Sequence, residues 1–201
     1  MRQGAVTRRS KETNILVTVN LDGYGKVSVK TGMPFLDHML ILLGTHGLFD
    51  LTVKAKGDLE IDVHHTNEDI GLVLGQAFDK ALADRKGITR FGLAYVPMDE
   101  ALARVVLDIS GRPKLVLRDA RPQLVKPPLS SSGGSYEWGD AEHFLESFAR
   151  TLKATLHIDV LAGSDFHHTC EAVFKALGRA LEQATRINPR VKGIPSSKGT
   201  L

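Results

Sequence analysis

One pentapeptide occurs twice in the chain, as His64-His65-Thr66-Asn67-Glu68 and as His167-His168-Thr169-Cys170-Glu171, and these two copies hold four of its eight histidines. On a helix turning by about 100° per residue, with the first His at 0°, the second lies at about 100° and the Glu at about 40°. The residues that follow are phased alike in both copies. Ile70, Val73, Leu74, Ala77, Phe78 and Ala81 fall between roughly 180° and 320°, and Cys170, Val173, Ala176, Leu177, Ala180, Leu181 and Ala184 fall in the same arc. Two amphipathic helices follow, each expected to turn its His/His/Glu face away from the subunit's own core. Packing alone does not require imidazoles and a carboxylate on that face, whereas a first-row divalent metal is suited to this mixed donor set.

Composition narrows the setting. A chain of 201 residues, 42% hydrophobic and 24% charged, can build one sizeable core or two small packed units. Its net charge of +3 is a weak argument for nucleic acid and suits an anionic small molecule equally well. Cys170 is the single cysteine, so no internal disulfide can form, and its place in the apolar arc makes it a small buried hydrophobe. The first residues lack the apolar run of a signal peptide, and no stretch approaches about 18 consecutive apolar residues. A soluble cytoplasmic protein is expected.

Read in order, the chain begins again halfway along. Ile15, Val17, Val19 and Leu21 alternate as in a half-buried strand after Glu12, which ends at Asp22-Gly23. A second strand at Lys26 to Lys30 is expected to pair with it across the Gly23-Tyr24-Gly25 turn. A helix from about Phe35 to Thr45 carries His38 and stops at Gly47. Short strands are expected near Leu51 to Ala55 and Leu59 to Val63, and then the first HHTxE helix to about Ala83. In the second pass Glu100 precedes Val105, Leu107 and Ile109, ending at Ser110-Gly111, the same Glu-to-Gly spacing. A strand near Lys114 to Arg118, a helix from about Ala141 to Thr155 with His143, a strand at Leu156 to Val160 and the second HHTxE helix follow. The expected fold is α+β, with internally duplicated β-rich half-domains at 1–88 and 89–187, each a sheet covered on one face by helices, and a basic tail at 188–201. Segment 119–140, rich in Pro, Ser and Gly, has no counterpart and is expected to be a mobile surface element or a contact to another chain.

A single activity belongs where the two halves differ. Lys175 stands where the first copy has Leu72, both at about 80° beside the His/Glu face. A lysine there can hold an anionic group. Arg112, whose counterpart is Tyr24, and Arg90, at the junction between the halves, are further cationic candidates.

Phe35-Leu36-Asp37-His38-Met39, Asp62 through Asp69, Leu161-Ala162-Gly163 through Glu171, and Pro195-Ser196-Ser197-Lys198-Gly199 together resemble the imidazoleglycerol-phosphate dehydratase family, enzymes of histidine biosynthesis. These segments span nearly the whole chain, with no departure at the motif positions. The resemblance implies halves of the ribosomal S5 domain 2-like type and two manganese ions per active site. It implies metal ligation by His38, His64, His65, Glu68, His143, His167, His168 and Glu171, without saying which ligands share an ion. It implies a substrate phosphate pocket of Arg90, Arg112, Lys175, Ser197 and Lys198, and Glu12 as the acid–base carboxylate, a choice over Glu100 that the residues alone do not make. It further implies a 24-subunit assembly built from trimers, with metal at subunit contacts.

Two other readings make different demands. A two-metal phosphoester hydrolase uses the same donor types with nearby cations, and would release inorganic phosphate. An RNA-binding module would leave the paired histidines without a role. One Trp and three Tyr supply few of the rings that stack on single-stranded bases, so no nucleic-acid partner is expected.

Overall fold

The computed structural model describes residues 1–120 and 136–201, so most of the proline- and serine-rich segment at 119–140 lies outside the described residues. The chain runs β1 (Gln3–Arg9), β2 (Asn14–Asn20), β3 (Val27–Lys30), α1 (Pro34–His46), β4 (Asp50–Lys56) and α2 (His64–Leu82), and then repeats this order. The second pass is β5 (Phe91–Met98), β6 (Ala101–Asp108), β7 (Lys114–Asp119), α3 (Trp138–Leu152), β8 (Thr155–Ala162) and α4 (Phe166–Thr185). Both sheets have four strands, in the equivalent orders β1-β2-β4-β3 and β5-β6-β8-β7. The duplicated α+β architecture anticipated from the motif is therefore the observed one.

Strand periodicity places the sheets' inner faces. Ile15, Val17 and Val19 of β2 are buried while Leu16, Thr18 and Asn20 are half-exposed, and Ala101, Ala103, Val105 and Leu107 repeat the pattern in β6. Each half's two helices lie on its own sheet and pack against those of the other half, α2 on α3 and α1 on α4. The buried apolar residues form one cluster that crosses the duplication boundary. An aromatic chain runs through it, from Phe49 to Phe78 (5.0 Å between centroids), Phe148 (5.7 Å), Phe144 (6.5 Å) and Phe174 (5.6 Å). Among the described residues, no helix is long and apolar enough to cross a membrane.

Two expectations are corrected. The strand at Lys26 to Lys30 does not form a hairpin with β2: β3 pairs in parallel with β4 after crossing over through α1. Both edges of β2 are already taken by antiparallel β1 and β4. Asp50 Oδ1 accepts the amides of Tyr24 and Lys26 at 2.9 and 3.0 Å, tying the intervening turn to the start of β4 instead. Leu59 to Val63 forms no strand either; Ile61 is 69% exposed and its amide closes a turn onto the Asp58 carbonyl. Alternating apolar residues there imitate a strand, but β4 already has β2 and β3 on its two sides. Strands β1 (QGAVTRR) and β5 (FGLAYVPM) show no apolar/polar alternation, the first ending in polar and basic residues and the second almost continuously apolar, and neither was expected. The helix expected from Ala141 to Thr155 runs earlier, because Glu137 and Asp140 close a capping box at its start and Lys153 turns left-handed (φ 58°) after its end.

Glycines set the distance between layers, at matching places in both halves. A Cβ on Gly4 would lie 1.9 Å from the Ala77 carbonyl oxygen, and one on Gly92 1.9 Å from that of Ala180. Between helices, a Cβ on Gly75 would lie 2.5 Å from the Phe148 carbonyl oxygen of α3, and one on Gly178 2.5 Å from the Leu43 carbonyl oxygen of α1. These contacts leave no room for a methyl group. Gly75→Ala should therefore destabilise the fold by about 1–3 kcal/mol, despite the better helix propensity of alanine. Gly139→Ala, with nothing within 4 Å of its added carbon, is the control and should be neutral or mildly stabilising in thermal unfolding.

Candidate metal and substrate site

Helix capping aims the first turns that carry the motif. Asp165 accepts the His168 amide at 2.9 Å as N-cap of α4, and Asp62 accepts the His64 amide at 2.7 Å at the start of α2. The first His and the Glu of each motif, four residues apart, then lie together as the helical wheel requires. His167 Nε2 is 3.0 Å from Glu171 Oε1, and His64 Nε2 is 3.9 Å from Glu68 Oε2.

A further histidine reaches each pair from the other half of the chain. His38, on α1, places Nε2 2.9 Å from the same Glu171 Oε1, because α1 packs on α4. His143, on α3, places Nδ1 3.3 Å from His64 Nδ1, because α3 packs on α2. One compact cluster results, His38/His167/Glu171, and one looser chain of contacts, His143 to His64 and His64 to Glu68, each built from both halves. In the first, one donor atom from each residue lies within 4.8 Å of the other two. Two imidazole nitrogens and a carboxylate oxygen at that spacing fit a divalent first-row ion. The second cluster is looser, with Arg150 Nη2 donating to Glu68 Oε1 at 2.9 Å.

The second histidine of each motif turns away from its partner. His65 Nδ1 lies 3.0 Å from Asp58 Oδ2, and His168 Nδ1 lies 2.8 Å from Glu100 Oε2. Those hydrogen bonds raise the pKa of both imidazoles above the ordinary histidine value. The eight expected ligands thus sit as one compact triad, one looser chain and two outlying histidines. Asp58 and Arg150 were not expected at the site; neither belongs to a repeated motif, and only the folded chain brings them near.

One expectation about the faces is only half met. His64, His65 and Glu68 are half-exposed, but Glu171 is 7% exposed, enclosed by α1 and by Lys175. Burial pushes its pKa up, but the Lys175 hydrogen bond, His38 and His167 more than offset this and hold it at about 2. Cys170 is fully buried, and burial drives its thiol pKa up, so it is no thiolate ligand.

The carboxylates preceding β2 and β6 separate clearly. Glu100 accepts the Asp165 and Ser164 amides and binds His168; led by the Asp165 amide, these bonds bring its pKa down to about 2. Glu12 lies exposed in the turn between β1 and β2, where no hydrogen bond or ion pair holds its carboxylate among the described residues.

The five expected substrate residues make different contacts within the chain. Lys175 pairs with Glu171 in the first cluster. Arg90 instead spans Asp108 (2.7 Å) and the Pro195 carbonyl (2.8 Å), tying the tail to the second sheet, while its amide donates to the Ala184 carbonyl. Gly111, next to exposed Arg112, abuts Leu201, so Arg90, Arg112 and the tail with Ser197 and Lys198 gather at one end. Ala184 is nine residues beyond Lys175, on the order of 13 Å along α4.

The low pKa of Glu171 predicts a measurable acid response. Between pH 4.5 and about 2 the unfolded chain takes up a proton at Glu171 that the folded chain does not, so this contribution to stability is present above that window and lost as pH falls through it. The thermal midpoint of metal-free Glu171→Gln should therefore fall less steeply than that of the unsubstituted chain over the same range.

A sequence model of the imidazoleglycerol-phosphate dehydratase family matches residues 31–181. The chain is 53% identical over 201 residues to imidazoleglycerol-phosphate dehydratase of Thermoanaerobacter pseudethanolicus, covering all of both chains. To that of Syntrophobacter fumaroxidans it is 54% identical over 200 residues, covering 100% of this chain and 98% of the other. The Pyrococcus furiosus enzyme, solved in complex with (S)-C348, superposes with a TM-score of 0.80 at 35% identity, covering 98% of this chain and 100% of that one. The Staphylococcus aureus enzyme gives 0.77 at 35% identity, over 92% and 99% of the two chains. A duplicated α+β chain with paired His/His/Glu clusters, matched throughout its length by these relatives, belongs to the imidazoleglycerol-phosphate dehydratase family, the hydro-lyases of histidine biosynthesis.

Proposed function

We propose that this chain converts imidazole glycerol phosphate to imidazole acetol phosphate and water, using manganese held by the two His/His/Glu clusters. The observation that carries the reading is the pairing of those clusters across the duplication, His38 with His167 and Glu171, and His143 with His64 and Glu68. His65 and His168, turned outward, add a ligand each toward a neighbouring subunit.

The departing hydroxyl sits on the carbon attached to the imidazole, and the departing proton on the next carbon, with no carbonyl to acidify it. When bound, the metal supplies Lewis acidity that favours the electron-rich, deprotonated imidazole. The ring's electrons expel the hydroxyl, which leaves as water with the proton given up by the ring. The Glu12 carboxylate takes the neighbouring C–H proton, and the resulting enol gains a proton at carbon and loses its O–H proton to become the ketone. Glu12 suits the role better than Glu100, whose oxygens are engaged by two amides and His168. Arg90, Arg112, Lys175, Ser197 and Lys198 hold the phosphate. Lys175 lies about 13 Å along α4 from the residue that anchors Arg90, and the site is proposed to be shared between subunits. The reading extends to a 24-subunit assembly built from trimers, with metal at the contacts.

Incubating the purified chain with imidazole glycerol phosphate, with and without Mn²⁺, should give the ketone with its phosphate intact and only when the ion is present; release of inorganic phosphate would favour the two-metal hydrolase. In the same preparation, chelation should shrink the particle measured by solution scattering. An unchanged particle size would sink the metal-bridged assembly while leaving the chemistry standing.

A further inference from the structure

We infer that Thr13, held by the buried carboxylate of Asp69, is the positioning residue that fixes Glu12 against the first HHTxE helix. This inference rests on the proposed role of Glu12. Thr13 follows Glu12 in the β1–β2 turn and is 2% exposed. Its hydroxyl donates to Asp69 Oδ2 at 2.6 Å, and Asp69, 7% exposed, comes directly after the ligand Glu68 on α2. Arg8 Nε, on β1 leading into the turn, lies 2.8 Å from Asp69 Oδ1. Within the turn, Ser10 Oγ accepts the amides of Glu12 and Thr13 at 3.1 and 2.9 Å, and the Ser10 amide donates to the Thr13 carbonyl. The backbone on both sides of Glu12 is thereby tied to the helix turn that carries Glu68, while the carboxylate itself stays exposed.

The duplication supplies an internal control. Counting from the matched glycines and motifs, Arg8, Thr13 and Asp69 correspond to Val96, Ala101 and Ala172. The corresponding positions in the second half are thus all apolar, with Ala101 and Ala172 both buried. Packing there needs no buried charge, and burying one carries a desolvation cost. The polar version occurs only in the half whose carboxylate remains exposed for chemistry, whereas the counterpart, Glu100, is spent on capping α4 and holding His168. A polar network that occurs at one of two equivalent places and ends beside Glu12 serves the placement of that group.

Thr13→Val removes the donor, keeps the shape, and leaves Asp69 its Arg8 partner. In the manganese-loaded enzyme it should lower kcat roughly tenfold or more, since a misplacement of about 1 Å can cost on the order of a hundredfold. KM, bound metal and the thermal midpoint should stay near those of the unsubstituted protein. Thr13→Ser should restore kcat, and deuterium at the carbon that loses its proton should slow Thr13→Val more than the parent. Ser10→Ala, which loosens the turn from its exposed side, should show the same split and decides the matter if Thr13→Val fails to assemble. Glu12→Gln, run alongside, should abolish turnover with metal and phosphate binding intact. If Glu12→Gln stays active, the role of Glu12 fails and the inference with it. If Glu12→Gln is inactive but Thr13→Val and Ser10→Ala keep full kcat, or lose kcat only in step with stability and bound metal, the positioning role alone is overturned.

Discussion

The close contact of helices across the duplication is the constraint on which the rest of this molecule depends. α1 lies on α4 and α2 on α3, at separations that Gly178 and Gly75 permit because they carry no Cβ. Only that geometry lets His38 reach Glu171 and His143 reach His64. Neither half could assemble a three-donor cluster alone, since each motif contributes just one His and one Glu to its triad. Folding of the common core and construction of the site are therefore one event, and the aromatic chain from Phe49 to Phe174 joins the halves that the ligands require.

Within this symmetric frame the two halves have diverged where chemistry needs a single direction. Lys175 replaces the counterpart of Leu72 and holds Glu171 ionised in a buried setting, while Glu68 stays half-exposed beside Arg150. Glu100 has become a cap and a histidine partner, and Glu12 has kept an exposed carboxylate on a turn tied to α2. Such divergence fits an asymmetric substrate, with a ring at one end and a phosphate at the other, which needs cations and a base at different places.

Much of this was readable before folding was considered. The doubled HHTxE motif and the common phase of its apolar arcs gave the duplication, the helices and the His/Glu pair of each motif, because i, i+4 neighbours share a helix face wherever the helix sits. The alternation in β2 and β6 was equally plain. The edge strands β1 and β5 were not, since one ends in polar and basic residues and the other is almost continuously apolar, so neither alternates, and Leu59 to Val63 showed alternation although both sides of the preceding strand β4 are already occupied. The parallel pairing of β3 was also hidden, because a short loop between two apolar runs looks the same whether the second run turns back or crosses over.

The sequence by itself determined which side chains could act as ligands and which of them share a helical turn, since these depend on chemistry and on the fixed pitch of a local structure. The tertiary structure alone decided which histidine joins which motif, that Glu171 is buried while Glu68 is not, and that Arg90 ties the tail to the second sheet. Those are distances between elements remote in the chain. They are set by how closely glycine lets backbones approach and by which sheet edges remain open, and no local pattern of residues encodes them.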